Sequence, residues 1–293
     1  MSELKALTRQ VKGGLIEFPD RPLIMGVVNV TPDSFYDGGR YFDASAAVDH
    51  AVQLVEEGAD LLDIGAESTR PGADVVDESE ERRRAIPVVT AVAKAVTVPI
   101  SIDSSKAAVA RAALDAGAAL VNDVTALQGD PAMADVVALS KAGIVLMHMQ
   151  GTPRTMQQAP RYDDVVEEVL EFFEERIRFA TAHGIVRRQI ILDPGIGFGK
   201  LLTHNIELIA RLSCFLRLGC PLLVGVSQKA FLGQLVGHPV QERQWATAAA
   251  VAMAVDRGAG IIRVHDVKAM KDVVQVAAAI GRQTVESMKA HHA

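Results

Sequence analysis

A closed (β/α)8 barrel in a single domain is the fold class this sequence predicts, on three observations. Eight short β-branched apolar runs recur along the 293 residues, every interval between them is long enough for a helix, and no linker or shift in composition interrupts the series. Strands alternating with helices select a parallel sheet with helices packed on it. An open doubly wound sheet is the competing arrangement, and the unbroken succession of units favours closure.

The runs take the order expected of barrel strands, and each stops on residues able to do chemistry. LIMGVVNV closes on Asn29, LLDIGAEST carries Asp63 and Glu67, PISIDS carries Asp103, and ALVNDV carries Asn122 and Asp123. GIVLMH follows with His148, IILDPG with Asp193, LLVGVSQK with Ser227 and Lys229, and IIRVHD with Arg263, His265 and Asp266. Buried strands need apolar side chains, so polar groups gathered at their C-terminal ends call for a cause other than packing.

Between the runs lie segments of helical periodicity. From about Asp163 to His183, Val166, Val169, Leu170, Phe173 and Ile177 form one stripe, with glutamates, Arg176 and Arg178 on the remaining surface. Comparable helices fit residues 44–58, 78–96, 106–117, 131–142, 203–217, 243–258 and 267–289, and Lys229 opens another. Asp43, Asp163 and Thr203 stand at N-cap positions, and Gly58, Gly117, Gly184 and Gly219 where helices should end. Residues 1–22 precede the first strand and are expected to cap the barrel bottom, leaving 23–293 as the barrel. Three connections, Thr31–Asp43, Glu67–Asp77 and Met149–Tyr162, are longer than packing requires and read as binding loops.

With 49% hydrophobic but only 4% aromatic residues, the core must be built from aliphatic side chains and alanine. A net charge of −6 argues against a general nucleic-acid or membrane surface, so an anionic substrate needs local cations. Cys214 and Cys220 are too few for a disulfide scaffold and read as reduced thiols. The segment MSELKALTRQVKGG is not a hydrophobic leader, and no run reaches membrane-spanning length, so the expectation is a cytoplasmic protein.

Strand alternation puts Arg263 and His265 on one face, which suits a phosphate or diphosphate at the barrel mouth; a buried ion pair with a carboxylate such as Asp103 suits it equally. Asp103, Asn122 and Asp193 converge there too, and together they can read a flat heterocycle that offers donors and acceptors. A divalent metal site or helix capping are the alternatives, and Asp193 before Pro194 and Gly195 also fits a turn. DPGIGFGK matches neither a P-loop nor a dinucleotide fingerprint. Lys229 reads as a Schiff-base lysine, a phosphate-binding cation or a solvated side chain, and His148 as a ligand, a base or an inward hydrogen-bonded ring.

Seven ordered motifs narrow these choices: MGVVNVTPDSFYDGG (25–39), DIGAESTRPGA (63–73), SIDSSK (101–106), VNDV (121–124), LMHMQGTPRTMQ (146–157), LDPGIGFGK (192–200) and RVHDV (263–267). Together they resemble the dihydropteroate synthase family, whose barrel enzymes join 6-hydroxymethyl-7,8-dihydropterin diphosphate to p-aminobenzoate and release diphosphate. The resemblance implies a catalytic set of Asp37, Asp103, Asp193, Lys229, Arg263 and His265. It implies a pterin slot in which Asn122, Val124, Met147, Phe198 and Gly225 join Asp103, Asp193 and Lys229, supported by Asp63. Asn29 is implied on the metal side of a Mg2+–diphosphate site shared by Arg70, Arg263 and His265. Phe35 and Asp37 are assigned to the first long loop, and Thr69, Arg70 and Pro71 to the second, which encloses p-aminobenzoate. A homodimer through the later helices is likewise implied, with no nucleic-acid or membrane partner.

The chain departs from the family after the seventh run, where Ser227-Gln228-Lys229-Ala230 replaces the common Ser-Arg-Lys-Ser. A guanidinium and a hydroxyl that grip p-aminobenzoate are thereby absent, although backbone N–H groups near Ala230 and Phe231 still offer an anion site. Ala66 also stands for a usual glycine. A pterin-binding paralogue without synthase activity is therefore an alternative, and a pterin-dependent methyltransferase domain a more distant one. Without the resemblance, the residues point to a barrel enzyme acting on a phosphorylated small molecule, with a lysine-dependent aldolase as runner-up.

Overall fold

The computed structural model of the protein describes residues 8–18, 21–30, 44–68 and 72–290. A short hairpin comes first, β1 (Thr8–Val11) and β2 (Gly14–Glu17). The barrel units follow as β3 (Leu23–Asn29) with α1 (Ala44–Glu57), β4 (Leu61–Gly65) with α2 (Glu78–Ala95), β5 (Ile100–Asp103) with α3 (Ala107–Asp115) and β6 (Leu120–Asp123) with α4 (Met133–Ser140). Then come β7 (Gly143–Met147) with α5 (Val165–Ala182) and β8 (Ile190–Asp193) with α6 (Leu202–Ala210). The last units are β9 (Leu223–Val224), followed by α7 (Ala230–Val236) and α8 (Gln244–Asp256), and β10 (Ile261–Val264) with α9 (Val267–Ala290).

The eight barrel strands pair in the order β8-β7-β6-β5-β4-β3-β10-β9, and a parallel bridge from Leu192 to Leu222 joins the two edges. The predicted barrel is the observed one. Its main core lies between sheet and helices, where Leu62, Ile64, Val88, Leu170, Phe173 and Phe215 are buried. A second cluster fills the barrel interior: Met25, Leu61, Leu120, Val145, Ile191, Leu223 and Ile261 meet Val11, Ile16 and Phe18 of the hairpin and its exit. The hairpin thus lies against the N-terminal ends of the strands, with the Lys12 N–H donating to Ala119 O at 3.1 Å. Burying each such aliphatic or aromatic side chain contributes about 1.5–3 kcal/mol.

Four local expectations change. The segment 203–217 is not one helix: α6 stops at Ala210 and tight 3-10 turns run from Leu212 to Leu218. Leu212, Phe215 and Leu218 are all buried, and their three-residue spacing suits the three-residue turn of that helix. Asp164, not Asp163, caps α5, accepting from Val166 N–H at 2.9 Å and Glu167 N–H at 3.0 Å. Thr203 lies inside the first turn of α6, and the residue before that helix is Leu201. Arg176, expected on the wet face of α5, is buried with its guanidinium 4.7 Å from the Phe179 ring centroid. Asp43 lies outside the described residues, as does the Thr31–Asp43 connection. Gly58, Gly117, Gly184 and Gly219 follow their helices with positive φ.

The connection from Met149 to Tyr162 is held across its neck by Gln150. Its amide donates to Arg161 O at 3.0 Å and accepts from Arg161 N–H at 3.0 Å. The second connection is held at both stems by Glu67, which accepts from Val76 N–H at 3.1 Å and pairs with the Lys106 ammonium. Lys106 also meets the fully buried Glu81.

Candidate active site

Alternation along each strand carries the barrel interior from apolar at the floor to polar at the C-terminal mouth. Two residues above Leu61, Leu120, Ile191 and Ile261 stand Asp63, Asn122, Asp193 and Arg263. The pairings Asp103–Asn122 and Met147–Asp193 put neighbouring strands' groups at one height.

At this level two carboxylates share one guanidinium. Arg263 Nε donates to Asp63 Oδ2 at 2.7 Å and Nη2 donates to Asp103 Oδ2 at 3.0 Å. Asn122 Nδ2 adds a second donor to Asp63 Oδ2 at 2.9 Å. Of the two readings of Arg263, the ion pair is realised here: its side chain reaches from β10 past β3 to the acids on β4 and β5. Burial pushes the Asp103 carboxyl up to about 7, the Asp63 charge pushes the same way, and Arg263 opposes them. Asp63 Oδ1 and Asn122 Oδ1 are buried acceptors without a hydrogen-bond partner among the described residues. Such atoms suit a ligand offering N–H groups.

Across the mouth, burial raises the Asp193 carboxyl, against the Gly195 N–H, which donates to Oδ1 at 2.7 Å, and against the cations Lys229, Arg263 and Lys200. The turn reading of Asp193 therefore holds for one oxygen. Lys229 precedes α7, and its ammonium lies 4.1 Å from the centre of the half-buried Phe198 ring. That contact favours a cation held at the site over a solvated one. Met147 and Val124 are buried apolar neighbours in this wall, and Gly225 leaves the Arg263 stem uncovered, 3.9 Å from where a Cβ would stand.

His265 is oriented by Ser227, whose hydroxyl lies 2.9 Å from Nδ1 and accepts the His265 backbone N–H at 3.3 Å. Asn29 ends β3 beside Gly65, at the same rim. Phe35, Asp37, Thr69, Arg70 and Pro71 lie outside the described residues.

Two residues at the site escaped the sequence reading. Ser227 had no role, because nothing in a single sequence ties it to a histidine on the next strand. Lys200 is buried, its Nζ 2.9 Å from His148 Nδ1, which resolves His148 as an inward, hydrogen-bonded ring. Burial lowers His148 well below its usual range, with the Lys200 charge acting the same way. A signal for Lys200 was present: in IILDPGIGFGKLLT the only charges are Asp193 and Lys200.

Comparison with known proteins identifies the family and the fold. The family model for pterin binding enzymes matches residues 25–265. The dihydropteroate synthase of Synechocystis sp. is 45% identical over 269 residues, which cover 92% of this chain and 93% of that one. A Yersinia pestis dihydropteroate synthase, solved in complex with a sulfonamide drug, superposes with a TM-score of 0.88 at 43% identity, covering 94% of this chain and 99% of its own. A Xanthomonas albilineans dihydropteroate synthase, solved with 4-aminobenzoic acid, gives 0.87 at 46% identity, covering 93% and 98%. A barrel whose mouth gathers acids, an amide and a lysine above an apolar floor, and whose sequence aligns over nearly its whole length with these enzymes, belongs to the dihydropteroate synthase family of pterin-binding enzymes.

Proposed function

We propose that this protein condenses 6-hydroxymethyl-7,8-dihydropterin diphosphate with p-aminobenzoate, giving 7,8-dihydropteroate and diphosphate. The observation that carries this reading is the slot itself: Asp103 paired with Asn122 across β5 and β6, Asp193 at the end of β8, Lys229 over Phe198, and the buried apolar Met147 and Val124. Carboxylate and amide oxygens accept from the amino and ring N–H groups of a pterin, while the Lys229 ammonium donates to its acceptors.

In the bond-breaking step the methylene–oxygen pair leaves with diphosphate, and the ring donates electrons to the methylene, so departure is SN1-like. Asp103 and Asp193, held near the ring, stabilise that positive charge electrostatically. The p-aminobenzoate amine then forms the new carbon–nitrogen bond and loses a proton. His265, held by Ser227, is suited to the departing anion with Arg70. Arg263 contributes less free charge to it, because two of its nitrogens already serve Asp63 and Asp103. Excluding water protects the cation, the task assigned to the loops carrying Phe35, Asp37, Thr69, Arg70 and Pro71.

For Mg2+ the donor set is sparse: Asn29 offers one neutral oxygen, and no cluster of three His, Cys, Asp or Glu suited to a metal occurs among the described residues. Asn29 would be the residue holding such an ion on the protein side. When bound, Mg2+ neutralises charge on the leaving group.

A homodimer is the assembly we favour. An apolar groove of about 340 Å³ runs between α6, α7 and α8, lined by Ile206, Phe231, Leu235, Val236, Ala250 and Met253. Trp245, 81% exposed, stands beside it on α8. A second copy covers such a surface by the same patch on both subunits. We expect the enzyme to act in the cytoplasm, where its pathway reading would have it; among the described residues no helix is long and apolar enough to cross a membrane.

The deciding experiment is an assay of purified protein with pterin diphosphate, p-aminobenzoate and Mg2+, following diphosphate release. Turnover requiring both substrates is expected. Pterin binding without turnover selects the paralogue instead.

A further inference from the structure

Lys200 is 3% exposed, and the reaction as described assigns it no task. Its Nζ donates to Phe198 O at 2.9 Å and to His148 O at 3.2 Å, and lies 2.9 Å from His148 Nδ1, which accepts when the ring proton is on Nε2. These acceptors belong to two segments: the end of β7, and the loop 194–199 between β8 and α6. One cation thus fastens that loop to the neighbouring strand.

The loop is pressed so closely onto the end of β7 that a Cβ on Gly195 would stand 1.9 Å from His148 O, and one on Gly199 2.5 Å from Gln150 O. Other ties share the load. Asn205 Oδ1 accepts from Gly197 N–H at 2.6 Å, Tyr162 OH donates to Gly199 O at 2.8 Å, and Gln157 Nε2 donates to Gly197 O at 2.9 Å. The opposite side of the same loop faces the slot. There Gly195 N–H donates to Asp193 Oδ1 at 2.7 Å, and the Phe198 ring lies under the Lys229 ammonium at 4.1 Å. Phe198 is therefore held from behind through its carbonyl and met from the front at its ring.

An ammonium is an expensive choice for this position. Burial lowers Lys200 to about 7, Asp193 pulls it up, and Lys229 pushes it down. An apolar side chain of similar length would avoid that cost but leave buried carbonyl oxygens without their donor. The observed choice favours an exact loop position over the cheapest core.

We propose that Lys200 is a positioning residue for the pterin slot: through Phe198 O and His148 it sets the loop that aims Phe198 and Asp193, and so governs pterin binding rather than p-aminobenzoate binding. This rests on the synthase reading above.

The test compares wild type with Lys200→Met, Lys200→Arg and Tyr162→Phe. The readouts are KM for each substrate, calorimetric affinity for pterin diphosphate alone, and thermal stability. Losing a charged donor to buried acceptors predicts that Lys200→Met weakens pterin affinity and raises its KM by about tenfold to a hundredfold. KM for p-aminobenzoate should change by less than about twofold, within the scatter of a remote substitution. Lys200→Arg should recover part of the pterin affinity, and Tyr162→Phe should lose about threefold, as for one neutral hydrogen bond. Both KM values moving together, or thermal stability falling with pterin affinity intact, overturns the proposal. If Lys200→Met does not fold, Tyr162→Phe and Lys200→Arg decide, and unchanged pterin affinity in both overturns it. Wild type that fails to bind pterin diphosphate overturns the synthase reading as well, whereas wild-type binding that the variants leave intact overturns this proposal alone.

Discussion

Asp103 titrates where the enzyme must work. Burial and the Asp63 charge hold its carboxyl at about 7, and a pterin needs the ionised form as an acceptor. We therefore expect kcat/KM for pterin diphosphate to rise with pH through about 7, and Asp103→Asn to flatten that limb while losing about tenfold to a hundredfold in activity. Stability runs the other way. The folded protein holds this proton more tightly than the unfolded chain does, so its contribution is complete below the ordinary carboxylate range and fades as pH rises toward about 7. Denaturant titrations across that window should show the decline in wild type and less of it in Asp103→Asn. At this scale the sequence was legible up to the choice of partner. Strand alternation put Arg263 and His265 on one face, but only the order of strands around the closed barrel brings Arg263 against Asp63 and Asp103 and His265 against Ser227.

Among the elements, the turn into α7 carries the departure from the family. Gln228 has φ of +60° and is exposed, its N–H donates to Thr247 Oγ1 at 3.3 Å, and its carbonyl accepts from Arg243 Nη1 at 3.2 Å. The backbone there is fixed by α8 independently of the side chain at 228, and an unbranched arginine tolerates the same φ as glutamine. The pair Gln228→Arg with Ala230→Ser should therefore lower KM for p-aminobenzoate by about tenfold, the value of one charge-assisted hydrogen bond, and strengthen sulfonamide competition. Steady-state kinetics with each substrate varied checks this, and an unchanged KM for p-aminobenzoate would refute it. Long periodic helices such as α5 were readable from their stripes. The break after α6 was not, because Leu212, Phe215 and Leu218 fit a helical window until their three-residue spacing is set against the core. The cap moved from Asp163 to Asp164 for a similar reason: Arg211 reaches Asp164 at 3.0 Å, a partner far away in sequence.

At the scale of the whole molecule, eight strand ends predicted the barrel because a parallel sheet needs apolar strands, and polar residues at one end of each are affordable only around a common mouth. What composition could not separate was core from interface. Val251 and Trp245 share α8, yet one is fully buried and the other 81% exposed. If a second copy covers this groove, Trp245→Glu with Leu235→Asp should convert a dimer to a monomer in sedimentation velocity while leaving the barrel folded; a monomeric wild type would remove the assembly. The hairpin has a further consequence. With Val11, Ile16 and Phe18 packed into the apolar cluster that fills the lower part of the barrel, the polar groups above it are approached from the C-terminal rim. A ligand seated against that floor is covered by one seated nearer the rim, so the expected outcome of product-inhibition kinetics is an ordered mechanism in which the deeper ligand binds first.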